Sequence, residues 1–314
     1  MDAYPISLDD IVLRGELVAD GWTDRDIARA VAGGVLAKVR HGAYVDAGLV
    51  APLDPVGWMR VRTRAVLRRA HQTAVASHQS ALAEHEVPLW GLSLDETHLL
   101  RTDGRAGRRE AGVVHHCSEV VDAEWIVRNG IRVTRPARAA IEVVTSESPE
   151  AGLIAVCGVL HNGLATIEEI QEAARRATHW GKSLNNRLVL ARADHRLSSV
   201  LEIRMWHLLH DQRIPRPEPQ VEVFDEWGNL LGIVDFLWEE PGVFMETDGR
   251  IKYERYRRPG ETLEGYLLRE KRRQEAICLA TGWVCLRLGW SDLERPRQLA
   301  RRLRTILARQ ERAG

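Results

Sequence analysis

The last third of the chain has the most regular pattern of hydrophobic and polar positions. Hydrophobic residues three and four apart predict a helix in "SSVLEIRMWHLLHDQ". Leu201, Met205 and Leu208 lie on its predicted buried face, with Glu202 at the edge of that face. Short apolar runs bounded by turn residues predict three strands after it, "QVEVF", "LLGIVDFLW" and "VFMET".

A second helix and a fourth strand follow these three strands. The helix is predicted from Thr262 to Thr281, where Gly282 ends it, and the strand is "WVCLRL". A terminal helix of arginines and leucines completes the chain. The order helix, three strands, helix, strand predicts a mixed sheet flanked by helices.

The first part of the chain predicts a winged helix-turn-helix. Two short helical patterns are followed by strand, turn and strand in "VLAKVRHGAYV". Thr23 and Asp26 are typical of the start of a helix, and Gly33 is typical of its end. His41 and Gly42 are typical of a tight turn. The second helix of such a domain can enter a DNA major groove. The basic residues that we expect to face phosphates are Arg25, Arg29, Lys38, Arg40 and His41. The alternative is a solvated charged surface with no ligand.

The middle of the chain predicts a mixture of helices and strands. Ser77 can begin a helix that ends before Pro88, and Thr166 with Glu169 forms a capping-box pattern. Strands are predicted at "THLLR", "GVVHHC" and "GIRVT". The whole chain is therefore predicted to be an α/β (α+β) protein in three parts, residues 1–54, 55–193 and 194–314.

Histidines are frequent in this middle part, but their spacing does not indicate a metal site. His115 and His116 are neighbours on a predicted strand, so they point to opposite faces of the sheet. His71, His78 and His85 recur every seven residues, which is typical of packing and surface positions. We assign no chemistry to them.

Composition limits the partners and the compartment. The 314 residues carry 44 basic and 44 acidic side chains, so nucleic-acid binding must come from local patches. Four cysteines without a CxxC pair are typical of the reducing cytosol. The sequence contains neither an apolar run long enough to span a bilayer nor a signal-peptide pattern. We therefore expect a cytoplasmic protein that is not a membrane protein.

Three carboxylates lie in or beside the predicted strands of the last third. They are Asp235, Glu246 and Asp248; Lys252 follows, and Glu202 can approach from the preceding helix. Grouped carboxylates repel one another, a cost that a bound cation removes. Oxygen-only ligation favours Mg²⁺ or Mn²⁺ over Zn²⁺. Such an ion can orient water and stabilise the charge on a phosphate during cleavage. The alternative is a solvated strand end with a simple turn at Asp248.

These residues resemble the PD-(D/E)XK nuclease superfamily, and most closely its very-short-patch-repair-like branch. The resemblance covers about residues 194–307. It rests on Asp235-Phe236, on Glu246-Thr247-Asp248-Gly249 with Lys252, on the basic helix "REKRRQEA", on Gly282-Trp283 and on Arg287.

The resemblance implies roles for individual residues. Asp235 and Glu246 would bind the metal, Glu202 would be an outer or water-mediated ligand, and Lys252 would be the catalytic basic residue. The superfamily's Glu-x-Lys is Glu-x-Asp here, with Asp248 at the lysine position, so the basic residue is displaced to Lys252. Residues implied as contacts to the metal ligands or to phosphate are Gln220, Lys271 and Arg272.

The first 190 residues or so resemble the antitoxin component of AbiE-type, type IV toxin–antitoxin systems. The matching stretches are "TDRDIARAVAGGVLAKVRHGAY", "ASHQSALAEHEVPLWG" and "GIRVTRPARAAIEVV". This resemblance implies promoter DNA and a cognate toxin as partners. We therefore expect a metal-dependent endonuclease-like protein that acts on DNA. The alternative is a DNA-binding regulator or antitoxin without catalytic activity.

Overall fold

The chain folds into helices and three sheets in a computed structural model, which describes residues 4–103, 107–117, 122–248, 257–258 and 260–312. The fold class is mixed α/β (α+β), as predicted. The chain divides into two compact units, Met1–Ala193 and Asp194–Gly314. No helix among the described residues is long and apolar enough to cross a membrane.

The first unit begins with a small three-stranded antiparallel sheet in the order β1-β3-β2. The Thr23 hydroxyl accepts from the Asp26 amide, and the Asp26 carboxylate accepts from the Thr23 amide, so this capping box fixes the start of α2. Gly42 makes the predicted hairpin turn with φ +71°. The elements are β1 Val12–Leu13, α1 Arg14–Ala19, α2 Asp24–Ala32, β2 Leu36–Arg40, β3 Ala43–Asp46, α3 Ala47–Val50 and α4 Pro55–Leu67.

The rest of this unit is built on a six-stranded sheet in the order β6-β7-β5-β4-β9-β8. The pairs β4–β9 and β5–β7 are parallel and the other three are antiparallel. Its strands are β4 Ala74–Ala76, β5 Thr97–Arg101, β6 Arg108–Glu110, β7 Val113–His116, β8 Trp125–Arg128 and β9 Ile131–Thr134. Its helices are α5 His78–Glu84, α6 Pro136–Ser146, α7 Pro149–His161, α8 Ile167–Arg176 and α9 Leu184–Leu190.

A buried ion pair ties α4 to α5 in the first unit. The Glu84 carboxylate lies 2.5 Å from Arg64 Nη1 and 3.1 Å from Arg60 Nη2, and the side chains of Arg64 and Glu84 are fully buried. Burial raises the pKa of the Glu84 carboxyl, but the two arginines and Asn129 lower it more, so the net shift is downward. Glu84 therefore stays ionised inside the unit.

The second unit has the predicted order of helix, three strands, helix and strand. Its sheet runs β10-β11-β12-β13, with β12 and β13 parallel and the other two pairs antiparallel. Ser199 caps the helix before the sheet and Thr262 the helix before the last strand, and Gly282 ends the second of these helices with φ +72°. The elements are α10 Val200–Asp211, β10 Glu218–Phe224, β11 Leu230–Trp238, β12 Val243–Asp248, α11 Leu263–Thr281, β13 Val284–Gly289, α12 Trp290–Leu293 and α13 Pro296–Gln310.

Candidate functional site

Asp235 and Glu246 lie on the two adjacent central strands of the second unit, and both line one cavity. The antiparallel register pairs Phe236 with Met245, so Asp235 and Glu246 come next to that pair on their strands. Asp235 is 5% exposed and Glu246 is 7% exposed. The strand pattern of the sequence thus places two buried carboxylates at the same point of the sheet.

Thr247 holds the Asp235 carboxylate from the opposite strand. Its backbone amide donates to Asp235 Oδ2 at 2.6 Å and its hydroxyl donates to the same oxygen at 2.7 Å. The Asp235 side chain therefore binds β12 where the ladder of backbone hydrogen bonds between the two strands ends. Two donors on one oxygen fix the orientation of this carboxylate.

Gln220 connects Asp235 to the third carboxylate. Its Nε2 lies 3.3 Å from Asp235 Oδ1 and 3.2 Å from Glu202 Oε2, so one amide group donates to both. The backbone of Gln220 adopts φ +54°, a value that residues other than glycine rarely adopt. Its neighbours Pro219 and Val221 both pair with residues of β11. Glu202 also accepts from the Ser199 hydroxyl at 2.8 Å. Glu202 is 1% exposed, so it is buried in the site and not at the edge of its helix face.

Arg273 on α11 brings a positive charge to Glu246. Its Nη2 lies 3.0 Å from Glu246 Oε1 and 3.0 Å from Glu270 Oε2, and its Nη1 donates to the Ile233 carbonyl at 3.0 Å. Burial lowers the pKa of Arg273, but the carboxylates of Glu246 and Glu270 raise it more, so its net shift is upward. Arg273 is therefore a permanent cation beside Glu246.

Gly232 makes room for this arginine. A Cβ atom at that position would lie 2.9 Å from Arg273 Cδ, closer than side-chain carbons approach one another. Because Gly232 has no side chain, Arg273 can lie over β11 at this position and reach Glu246 on β12.

Asp248 lies at the more open end of the site. Its side chain is 37% exposed, and its Oδ2 is 3.9 Å from Arg287 Nη1 on β13. Arg287 also donates to Gln274 Oε1 at 2.8 Å. Lys252, predicted as the displaced basic residue, lies outside the residues that the structure describes.

The cavity around these groups has a volume of about 360 Å³. Among its described lining residues, five carboxylates outnumber three guanidinium groups, an excess of two acidic side chains. Oxygen is the ligand atom that Mg²⁺ and Mn²⁺ prefer, so the donor set fits these ions. The charged lining residues are Glu202, Asp235, Glu246, Asp248, Glu270, Arg269, Arg273 and Arg287.

Lys271 and Arg272, which the sequence singled out, are exposed and are not among the residues that line the cavity. Lys271 lies 3.7 Å from Glu275, one helical turn further on. Arg269 and Arg273 line the cavity in their place. The signal for them was helical spacing, because they follow the buried Tyr266 by three and seven residues and so share its face.

The predicted DNA-binding residues of the first unit differ in exposure. Arg25, Arg29 and Lys38 are exposed, and Arg29 forms an ion pair at 3.3 Å with Asp26 on the same helix. Arg40 is half-buried, and burial together with the nearby positive charge of Arg69 lowers its pKa. An arginine beside another arginine is a local attraction for an anion such as a phosphate.

A second cluster of ligating side chains lies in the first unit, where the sequence indicated none. His78 on α5, His98 on β5 and His116 on β7 each offer one ligand atom, and these atoms all lie within 4.8 Å of one another. Burial lowers the pKa of His98 to about 3 and that of His116 to about 4, with nearby positive charges adding to the effect. The rings are therefore neutral at physiological pH.

Glu202, Asp235 and Glu246 are spread more widely than the histidines and do not form such a group. No single signal in the sequence could have found the histidines, because three separate elements bring them together.

Comparison with models of protein families finds no match, and a search of curated proteins finds none either. The geometry of the cavity is therefore the basis for assigning a function.

Proposed function

We propose that the Asp194–Gly314 unit is a metal-dependent nuclease domain that hydrolyses phosphodiester bonds of DNA. The observation that carries this proposal is the pair of buried carboxylates, Asp235 and Glu246, on adjacent strands of one cavity. Burying two acids is costly unless a cation compensates them. The excess of two acidic side chains in the cavity lining supports a divalent ion in that role.

The architecture also supports a nuclease. Helix, three strands, helix and strand, with the last two strands parallel, agree with the mixed sheet that the PD-(D/E)XK resemblance implies. In this arrangement β11 and β12 supply Asp235 and Glu246, and α11 supplies basic side chains. Function is inferred from these residues, because many folds serve unrelated activities.

Asp235 and Glu246 would hold Mg²⁺ or Mn²⁺, with Glu202 contacting the ion through water. When bound, the ion would act as a Lewis acid for the phosphate and lower the pKa of a water molecule. Thr247 keeps the Asp235 carboxylate oriented, and Gln220 fixes the spacing between Glu202 and Asp235. Pre-set ligands of this kind reduce the reorganisation needed when the substrate binds.

Arg269 and Arg273 would contact the phosphate backbone of the substrate. Both line the cavity, and a guanidinium group can bind two phosphate oxygens at once. Lys252 stays a prediction for the basic residue that assists cleavage. Lys271 and Arg272 are exposed on the same helix, where they can bind phosphates further along the strand.

The first unit would bind DNA through its two helices and hairpin. Arg25 and Arg29 project from α2, and Lys38 with Arg40 lies on the β2 strand of the hairpin. These contacts would hold the protein on cytoplasmic DNA and bring the nuclease domain to its substrate. By the AbiE-type resemblance, this unit would also contact a cognate toxin.

A second candidate is a DNA-binding regulator without catalytic activity. Two observations favour it: Arg273 already compensates Glu246 at 3.0 Å, and Asp248 occupies the position of the superfamily's lysine. In that case the cavity is a former catalytic site whose carboxylates are stabilised by arginine, and α2 carries the DNA-binding function.

Cleavage of supercoiled plasmid by the full chain tests the proposal. We expect nicking that requires Mg²⁺ or Mn²⁺ and is lost in both Asp235→Asn and Glu246→Gln. Glu222→Gln is the matched control, because Glu222 is an exposed carboxylate on the same sheet and its variant should cut normally. Nicking that persists in Asp235→Asn would contradict the proposed site. Intact plasmid with all four proteins, together with tight binding of duplex DNA, would favour the regulator.

A further inference from the structure

Three histidines from separate elements of the Met1–Ala193 unit converge on one point. His78 is the first residue of α5, His98 lies in β5 and His116 ends β7. Among the His, Cys, Asp and Glu side chains of the described residues, they form the one group of three or more with ligand atoms all within 4.8 Å. His78 and His98 are each 5% exposed, so the group is largely shielded from water.

Gln79 fixes which nitrogen of His98 faces the other two rings. Its side-chain nitrogen is placed 2.7 Å from His98 Nε2, while its Oε1 is buried without a hydrogen-bond partner among the described residues. Turning the amide by 180° lets Oε1 accept from Nε2–H, which satisfies the buried oxygen and gives up only the long 3.5 Å contact of the Gln79 nitrogen to the Ser93 carbonyl. His98 then presents the lone pair of Nδ1.

The Ser77 hydroxyl and the buried Glu142 carboxylate lie beside one nitrogen of the His78 ring. Its Nδ1 lies 3.1 Å from the Ser77 hydroxyl and 3.7 Å from Glu142 Oε2. Glu142 also accepts from the His78 amide at 2.8 Å and from Arg138 Nε at 2.8 Å, so its position is fixed. When Nδ1–H donates to the Ser77 hydroxyl, the other ring nitrogen of His78 keeps its lone pair for a metal.

His116 completes the group. Its Nε2 lies 2.9 Å from His98 Nδ1, and its ring stacks on that of His78 with 3.6 Å between centroids. Zn–N bonds of about 2.0–2.1 Å place two ligand nitrogens of a tetrahedral ion roughly 3.3 Å apart. The observed distance is therefore a few tenths of an ångström short of what an ion between these nitrogens requires.

We propose that His78, His98 and His116 bind one Zn²⁺ ion, with the fourth position of the ion open to the adjoining cavity. Nitrogen ligands select a transition metal such as zinc and exclude Mg²⁺. For Zn²⁺ to bind, the stacked rings of His78 and His116 must rotate away from each other. The cavity has a volume of about 330 Å³, and its lining includes Cys117, His179 and Trp180, so a small ligand can reach the ion.

Titration of the chelator-treated full chain with Co²⁺, a spectroscopic substitute for zinc, tests this site. We expect one equivalent of Co²⁺ to give the strong visible absorption of a four-coordinate ion, and Zn²⁺ to displace it. His116→Gln should weaken binding by at least about 100-fold, the upper end of what removal of an outer-shell partner costs. His115→Gln is the matched control, because neighbouring strand residues point to opposite faces of the sheet and this variant should bind normally.

Asp235→Asn separates this site from the carboxylate site of the second unit. The strong Co²⁺ absorption should be unchanged in Asp235→Asn, whatever happens to plasmid cleavage. Equal Co²⁺ affinity in His116→Gln and the wild type would overturn the proposal, as would a spectrum that depends on Asp235. X-ray absorption of the zinc-loaded wild type gives a result that no variant's folding can affect: three imidazole ligands are expected, and a shell of oxygen atoms alone would also overturn it.

Discussion

Glu246 Oε1 lies 3.0 Å from Arg273 Nη2, so a guanidinium from helix α11 compensates a carboxylate on strand β12. The same guanidinium binds the Ile233 carbonyl on β11 and thereby ties the helix to both central strands. In a metal-binding cavity this contact has a consequence, because Arg273 and a divalent cation compete for Glu246. Under the nuclease proposal, the arginine would stabilise the metal-free protein and weaken its metal binding.

Arg273→Met should destabilise the metal-free protein. Glu246 and Glu270 lose their shared counter-charge, and we expect the free energy of unfolding to fall by about 2–3 kcal/mol. Urea denaturation in the presence of a chelator measures this. Arg272→Met is the control, because Arg272 is exposed on the same helix and its variant should stay within about 0.5 kcal/mol of the wild type.

The competition itself is tested by repeating both titrations with Mg²⁺. The ion should restore a larger part of the stability in Arg273→Met than it adds to the wild type, because it takes the place of the missing cation. An equal gain in the two proteins would mean that Arg273 and the ion do not share Glu246.

Thr247→Val keeps the shape of the side chain but removes the hydroxyl that donates to Asp235 at 2.7 Å. The backbone amide still donates, so the carboxylate stays in place with one donor fewer. We expect a loss of about 1.5–3 kcal/mol, typical of a hydrogen bond to a charged group. Under the nuclease proposal, plasmid nicking should also slow by roughly tenfold, since less precise orientation of a ligand costs rate.

The control for this change is Thr305→Val on the exposed side of α13, where the hydroxyl donates to the Arg301 carbonyl within its own helix. That variant should unfold and cut DNA like the wild type. If Thr247→Val were as stable as the wild type, the hydrogen bond from the Thr247 hydroxyl to Asp235 would add little stability beyond the bond from the backbone amide.

Local features of this fold could be predicted from the sequence. The capping boxes at Thr23 and Thr166 and the end of α11 at Gly282 depend on residues a few positions apart, so the sequence alone identifies them. The alternation in "LLGIVDFLW" and "VFMET" likewise indicated that Asp235 and Glu246 would lie near each other if the strands paired.

Features that depend on packing between distant segments could not be predicted. Glu202 was placed at the edge of its helix face, yet it is buried because Ser199 and Gln220 both bind it. On α11, helical spacing from Tyr266 distinguishes Arg273 from Arg272, but the contact between Arg273 and Glu246 depends on how the helix packs over the sheet. The histidine cluster depends on the strand order β7-β5-β4, which no spacing in the sequence reveals.

Glu84→Gln should be among the most damaging changes in the first unit. It leaves the guanidinium groups of Arg64 and Arg60 without a counter-charge at a position where Arg64 is fully buried. Removing one partner of such a pair typically costs about 3–5 kcal/mol. Chemical denaturation measures the loss, and Glu86→Gln, at an exposed carboxylate two residues on, should have little effect.

Changing Arg64 and Glu84 together distinguishes a buried ion pair from simple packing. In a double-mutant cycle, Arg64→Met with Glu84→Gln should cost clearly less than the sum of the two single changes, because the fully buried Arg64 charge is then removed together with its partner and only Arg60 loses its counter-charge. Additive losses would show that the two side chains are not energetically coupled.

His85 should make the first unit sensitive to mild acid. Its Nε2–H donates to the Thr134 carbonyl at 2.8 Å, and burial lowers its pKa from the usual 6.5 to about 4. The unfolded chain therefore takes up a proton at a pH where the folded chain does not. The stability that depends on neutral His85 is fully present above about pH 6.5 and is lost as the pH falls towards 4. The difference corresponds to at most about 3 kcal/mol.

Thermal unfolding at a series of pH values, in wild type and His85→Gln, measures this contribution. The glutamine amide can still donate to Thr134 but does not titrate, so the variant's melting temperature should fall less steeply between pH 6.5 and 4. Other buried histidines, such as His98 and His116, titrate alike in both proteins, so the difference between the two slopes reports His85 alone. His71→Gln, at an exposed histidine, should keep the wild-type slope. Parallel slopes for His85→Gln and the wild type would mean that His85 is protonated in the folded protein as readily as in the unfolded chain, against the effect of its burial.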